Sequence, residues 1–261
     1  MNITIIDAFT DRPFKGNPAA ICLLDSEIPE ERMQTIANEM NLSETAYLLR
    51  REAGYSLRWF TPQTEVDLCG HATLASAHYL WEEAGVTDSE LRFHTKSGVL
   101  TAKREGDWIQ LDFPSEEAQE CEPPSELIEG LRGTAYTFIG RNRMDYIVEV
   151  ENEAAVRSLQ PNLNLWTKVP SRGVIVTSKS SIPDIDFVSR CFFPAAGIDE
   201  DPVTGSAHCC LGPYWGSKLE KRKLTAMQLS SREGYLKVTV QGDRVLLLGQ
   251  AVTTLRGQLV R

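Results

Sequence analysis

An α+β protein built from two similar halves is what the sequence predicts, and three observations predict it. Gly70-His71-Ala72 follows Arg58-Trp59-Phe60-Thr61-Pro62 and an acidic stretch with Glu65 and Asp67, while Gly205-Ser206-Ala207 follows Arg190-Cys191-Phe192-Phe193-Pro194 and an acidic stretch with Asp199, Glu200 and Asp201. Gly98-Val99-Leu100 leading to Gly106-Asp107 is matched by Gly234-Tyr235-Leu236 leading to Gly242-Asp243. The offsets are 135 for the helix starts and 136 for both hairpin glycines, about half of the 261 residues, which is the signature of an internal repeat. Within each half, alternating segments typical of strands stand beside segments with helical spacing of apolar residues.

In chain order, Ile3 to Phe9 reads as a strand, Gly16-Asn17-Pro18 as a turn and Ala19 to Leu24 as a buried strand. Met33, Ile36, Ala37 and Met40 recur at three- and four-residue spacing, which predicts a helix from Pro29 to Met40. From His71 to Ala84 apolar residues fall on every side, so this helix is expected to be enclosed by its own half's strands. Its counterpart after Gly205 carries Gly212-Pro213 and is expected to be short or kinked. Gly98 to Phe113 and Gly234 to Gly249 read as hairpins. Residues 115–126 hold five glutamates and Pro123-Pro124, which reads as a linker, so the halves are expected at 1–115 and 127–261 with 116–126 between them.

Composition narrows the function. With 27 Lys and Arg against 36 Asp and Glu, the net charge is −9, a sign that repels phosphate backbones and anionic lipid. No basic patch offsets it, so neither nucleic acid nor membrane is an expected partner. The longest uninterrupted apolar run, Ala19 to Leu24, is far short of a membrane span, and Asp7, Asp11, Arg12 and Lys15 break any signal-peptide pattern; a cytoplasmic location is expected. The six cysteines lack a C-x-x-C pair and read as reduced thiols. His71 and His78 lie seven apart rather than four, and no P-loop or G-x-G-x-x-G occurs, so neither metal nor nucleotide cofactor is expected.

Two helix starts, at Gly70-His71 and Gly205-Ser206, would present backbone N–H groups and a positive dipole end, which suits a small carboxylate held in a cleft between the halves. The plain alternative is that both glycines only allow a sharp turn. Glu44, entering a strand of apolar and small residues, is a general acid/base if partly buried, or a solvated edge carboxylate if not. Asp201 pairs with it across that cleft or serves a turn before Gly205. His71 is a second acid/base or a satisfied helix-start residue. Ser206 lacks the G-x-S-x-G nucleophile pattern. Cys69 at a helix start suggests a stabilised thiolate and a two-base racemase, but the position 135 residues on is Thr204, which is no base.

Asp7-Ala8-Phe9-Thr10, Phe14-Lys15-Gly16-Asn17-Pro18-Ala19-Ala20, Asn41-Leu42-Ser43-Glu44-Thr45-Ala46, Arg58-Trp59-Phe60-Thr61-Pro62, Cys69-Gly70-His71-Ala72-Thr73-Leu74 and Glu200-Asp201-Pro202-Val203-Thr204-Gly205-Ser206-Ala207-His208 occur in one order along nearly the whole chain. Together they resemble the PhzF-like (phenazine biosynthesis) isomerase family. The resemblance implies a diaminopimelate epimerase-type fold: two pseudo-symmetric α+β lobes, each a barrel-like, mostly antiparallel sheet around a central helix, with the last ten or so residues returning to the first lobe. It also implies a cofactor-free isomerisation in which Glu44 moves a proton, with His71, Asp201 and Ser206 as partners. Gly70 and Gly205 fit an amide-lined substrate site, Asn17 is a further contact, and a homodimer is expected. Epimerases of this fold use two cysteines, so Thr204 opposite Cys69 favours the carboxylate version. A racemase using Cys69, and a non-catalytic small-acid binding protein, remain as alternatives.

Overall fold

The computed structural model describes residues 1–260 and divides the chain into two compact units, Met1–Asp112 with the segment from Leu247 onward, and Phe113–Leu246. In the first, strands Asn2–Ala8 and Asn17–Leu24 run antiparallel, from Thr4 opposite Ile21 to Ala8 opposite Asn17. Helix Glu30–Met40 crosses to strand Glu44–Arg51, which lies parallel to Asn17–Leu24 with Ala19 opposite Glu44; parallel neighbours require such a crossover. The helix buries Met33, Ile36 and Ala37 against Ala20, Cys22, Tyr47 and Phe60 and ends at left-handed Asn41. Gly54–Phe60 is antiparallel to Glu44–Arg51 and parallel to Glu90–Thr95, which pairs in turn with Gly98–Glu105. The hairpin predicted from Gly98 is present, with Ala102 opposite Leu111 across the Gly106 turn.

Between these strands runs the helix Gly70–His78, whose residues from His71 to Ala77 are all buried. Its apolar surround is what encloses it, as the sequence pattern requires. A Cβ on Gly249 would lie 2.4 Å from Phe9 and 2.7 Å from Leu74, so only glycine admits the closing strand this near. The single helix expected to Ala84 is instead an α-helix to His78 followed by a π-turn over Tyr79–Glu83, with Ala84 N bonded to Tyr79 O at 3.0 Å.

The second unit repeats the pairing. Tyr136–Arg141 is antiparallel to Asp145–Val150, which is parallel to Gly173–Lys179 with Asp145 opposite Gly173. Phe187–Phe193 is antiparallel to Gly173–Lys179 and parallel to Lys223–Gln228, which pairs with Gly234–Gln241. A side-chain device repeats as well. Arg58 pairs with Glu65 at 2.7 Å through both Nε and Nη2 and lies 5.2 Å over Phe60; Arg190 pairs with Glu200 at 2.7 and 2.9 Å and lies 5.0 Å over Phe192. In each, a planar cation bridges a bidentate carboxylate and an aromatic face.

Two further expectations are corrected here: the helix after Gly205 is not short, and the unit boundaries move. The helix Gly205–Leu219 runs unbroken for 15 residues through Gly212-Pro213. Proline removes one N–H and crowds the carbonyl four residues back, that of Cys209. That carbonyl is taken by the Glu116 N–H at 3.0 Å, so the helix loses no partner there. Gly212 lets Val238 pack close, since a Cβ would meet it at 2.7 Å. The second correction is to the boundaries. Residues 116–126 are woven into the second unit: Gln119–Glu120 pairs with Gly140 and Arg141, and Arg143 pairs with Glu116 at 2.9 Å. The segment from Leu247 belongs with the first unit, because Ala251–Gln258 is antiparallel to Asn2–Ala8. Among the described residues no helix is long and apolar enough to cross a membrane.

Candidate active site

The first unit gathers Asn17, Glu44, Cys69 and His71 at one corner. Gly16 turns with φ +64°, where a Cβ would meet Ala8 O at 2.2 Å, and so delivers Asn17 buried at the start of its strand. The end of helix Glu30–Met40 at Asn41 sets Glu44 as the first residue of the parallel strand. His71 is the second residue of the buried helix, with Gly70 before it and Cys69 at the N-cap.

Asn17 Nδ2 lies 3.2 Å from His71 Nδ1, and Cys69 Sγ lies 3.5 Å from the same nitrogen. On the far side of the ring, His71 Nε2 stands 3.0 Å from Glu44 Oε2. The distance is that of an ion pair, but the angles miss those of a hydrogen bond, and both atoms are buried without another hydrogen-bond partner. The Glu44 side chain is 13% exposed and that of His71 is 6% exposed. Two protonation states fit. With Asn17 Nδ2 donating, Nδ1 accepts and the proton sits on Nε2; with the amide turned over, Oδ1 accepts from an imidazolium.

Burial alone would lower the His71 pKa, yet Cys69 and Glu44 beside it raise it well above the ordinary imidazole value of 6.5. Burial, reinforced by the Glu44 charge, pushes the Cys69 thiol up to about 11, so sulfur is protonated at neutral pH. That leaves the Glu44 carboxylate as the charge that keeps a proton on His71. The expected stabilised thiolate at Cys69 gives way for the same reason: desolvation and a neighbouring carboxylate outweigh the helix start. Donor atoms of Glu44, Cys69 and His71 all lie within 4.8 Å of one another. Cys69 and Glu44 nevertheless face opposite ring nitrogens, so a cation bound through one nitrogen would sit away from the other ligand.

The second unit places Asp201, Thr204, Gly205 and Ser206 at the start of its own buried helix. Asp201 accepts from Thr204 Oγ1 at 2.5 Å, and Gln228 braces the turn by accepting from Thr204 N at 2.8 Å and donating to Asp201 O at 2.7 Å. This is the turn-bracing geometry weighed for Asp201 from sequence. Thr204 occupies the N-cap, and Ser206 Oγ accepts from Arg172 Nη2 at 3.0 Å. Arg172 also holds the fully buried Asp145 through Nε at 2.9 Å and through Nη2.

Sequence reasoning missed Arg172 and Asp145. Their signal was topological: Asp145 opens a strand as Asn17 does, and Arg172 directly precedes Gly173, which opens the parallel neighbour as Glu44 does. Asp145 lies 128 residues from Asn17 and Arg172 lies 128 from Glu44, so a fixed offset of 135 passes them by.

The duplicated α+β scaffold thus carries a carboxylate against an imidazole at one corner, and comparison with known proteins gives the class as isomerase. The family model for phenazine biosynthesis-like proteins (PhzC-PhzF) matches residues 6–257, and the chain belongs to that family. An uncharacterised isomerase of Halalkalibacterium halodurans is 57% identical over 260 residues, covering 99% of this chain and 98% of its own. The crystal structure of a PhzF-family protein of Enterococcus faecalis shares 40% identity and a TM-score of 0.95, covering 100% of this chain and 99% of that one. A predicted epimerase of Pseudomonas aeruginosa, at 20% identity and TM-score 0.72 with 100% and 99% covered, shares the fold.

Proposed function

We propose that this isomerase shifts a proton between carbons of a small unsaturated or hydroxylated carboxylate, with Glu44 as the acid/base and no cofactor. The observation that carries the reading is the buried apposition of Glu44 Oε2 and His71 Nε2 at 3.0 Å, close but unaligned. Buried polar atoms are normally satisfied, and a pair left short of a bond is ready for a third group between or beside them. Glu44 accepts a proton from a substrate C–H and returns it at another carbon, so the product has the substrate's composition. His71, held by Asn17, stands against Glu44 and donates to a substrate oxygen as charge develops there. Gly70, Gly205 and Ser206 bind the substrate, and Asp201 takes part in proton transfer. The same reading makes the protein a cytoplasmic homodimer serving a biosynthetic process.

Turnover in deuterium oxide against a pool of small carboxylic acids tests this. A substrate carbon should gain solvent deuterium as the acid isomerises. Conversion with a required added cofactor, or loss of isomerisation in a folded Cys69→Ala variant, would overturn the carboxylate mechanism.

A further inference from the structure

The first unit holds a cleft of about 340 Å³ at the opposite end of its buried helix from His71. His78 ends the α-helix there, and the π-turn Tyr79–Glu83 that follows brings Trp81 and Glu82 to the cleft lining. Asp107 and Trp108, from the hairpin turn, line it as well, together with Asp11. A π-turn set into a helix often marks a functional site, because the extra residue redirects side chains. The buried helix of the second unit has no such turn and runs on to Leu219. At the offset of 135 it carries Pro213, Gly216 and Ser217 in place of His78, Trp81 and Glu82. The duplicated fold therefore needs neither the π-turn nor these side chains.

One nitrogen of the His78 ring is committed and the other is open. Thr253 Oγ1 donates to Glu83 Oε1 at 2.7 Å, and Arg256 holds both oxygens of that carboxylate at 2.6 and 2.7 Å. A hydroxyl has one hydrogen, so Thr253 Oγ1 accepts from His78 Nε2 at 3.3 Å, which fixes the ring proton on that nitrogen. Burial lowers the His78 pKa against the pull of Glu82 and Glu83, so the ring is neutral at pH 7. Nδ1 is then an acceptor, without a protein partner among the described residues and not sealed from solvent. Glu82 is tied to Arg104 at 2.6 Å, and the Arg104 guanidinium lies 6.0 Å from the centre of the Trp81 ring. The Asp107 carboxylate has no protein partner among the described residues, and Asp11 is met only by its neighbour Arg12 at 3.8 Å. A positioned acceptor, an excess of negative charge and two indoles share one cleft, a combination that suits a cation with an apolar body. We propose that this cleft binds a primary organic ammonium, which donates to His78 Nδ1, faces Asp11 and Asp107 and lays its apolar part against Trp81 and Trp108. The site is separate from the Glu44 corner and does not depend on the isomerase reading.

Benzylamine, charged at pH 7, and benzyl alcohol, neutral and alike in shape, are the probes, titrated calorimetrically against the full chain. The parent should bind benzylamine roughly tenfold more tightly than benzyl alcohol, with a gap that narrows at high salt. Asp11→Asn/Asp107→Asn alters only exposed side chains, so it should keep its melting temperature and its benzyl alcohol affinity while losing most of the preference. His78→Phe keeps a ring of similar size and removes the acceptor, and it should weaken benzylamine more than benzyl alcohol. Equal affinity for the two probes in the parent, or a preference undiminished in both folded variants, would overturn the inference. Glu44→Gln should bind benzylamine as the parent does. A preference lost in that variant would place the amine at the Glu44 corner and overturn the inference as well.

Discussion

At His71 three environments compete, and their balance sets a pH response. Burial favours the neutral ring, while Cys69 and Glu44 beside it favour the charged one and prevail, so the folded pKa lies above the ordinary 6.5. A raised value means that the imidazolium's contribution to stability is complete below about pH 6.5 and is lost as pH rises through the folded pKa. If the charged ring assists the chemistry, exchange should weaken over that same alkaline interval. His71→Gln should lower the rate by roughly a hundredfold and flatten the alkaline limb; pH–rate profiles of the parent and variant check this, and an unchanged limb would remove His71 from the mechanism. Glu44 and His71 were legible from the motifs, because each sits beside a strand or helix start that the sequence marks. Arg172 was not, because its place beside Asp145 is set by the parallel pairing of Asp145 with Gly173, which no local pattern records.

Among the elements, the two buried helices carry most of the structural argument. His208 lies in Gly205–Leu219, fully buried against Phe187, with Nδ1 2.8 Å from Thr204 O and Nε2 without a hydrogen-bond partner. Burial lowers its pKa to about 4. The unfolded chain therefore binds a proton that the folded chain refuses between about pH 6.5 and 4, and stability should fall by about 3 kcal/mol across that interval as pH drops. His208→Gln should flatten the melting-temperature profile there, and an unaltered acid slope would contradict the assignment. The all-round apolar pattern identified Gly70–His78 as enclosed, since burial leaves a direct trace in composition. Continuity through Pro213 was illegible: it depends on Glu116, a residue 97 positions earlier, meeting the Cys209 carbonyl.

Across the whole molecule, the duplication is the part the sequence disclosed best. Two glycine-led helix starts and two hairpins at offsets of 135 and 136 were enough to infer two like units, and the matched strand pairings and the twin Arg–Glu–Phe arrangements bear that inference out. What fixed spacing concealed is that the units have diverged in chemistry: one corner ends in a carboxylate against an imidazole, the other in an arginine held by an aspartate. The return of the last strand to the first unit was legible through the family resemblance alone. Ala251–Gln258 joins Asn2–Ala8, a contact that links the two ends of the chain's described sequence and that no periodicity reports. The central claim, that Glu44 carries the proton, is tested most directly by solvent deuterium incorporation in Glu44→Gln compared with the parent and Glu44→Asp. We expect a loss on the order of a hundredfold or more in the glutamine variant, with melting temperature retained and partial recovery in the aspartate variant. Exchange at the parental rate in a folded Glu44→Gln protein would contradict the account.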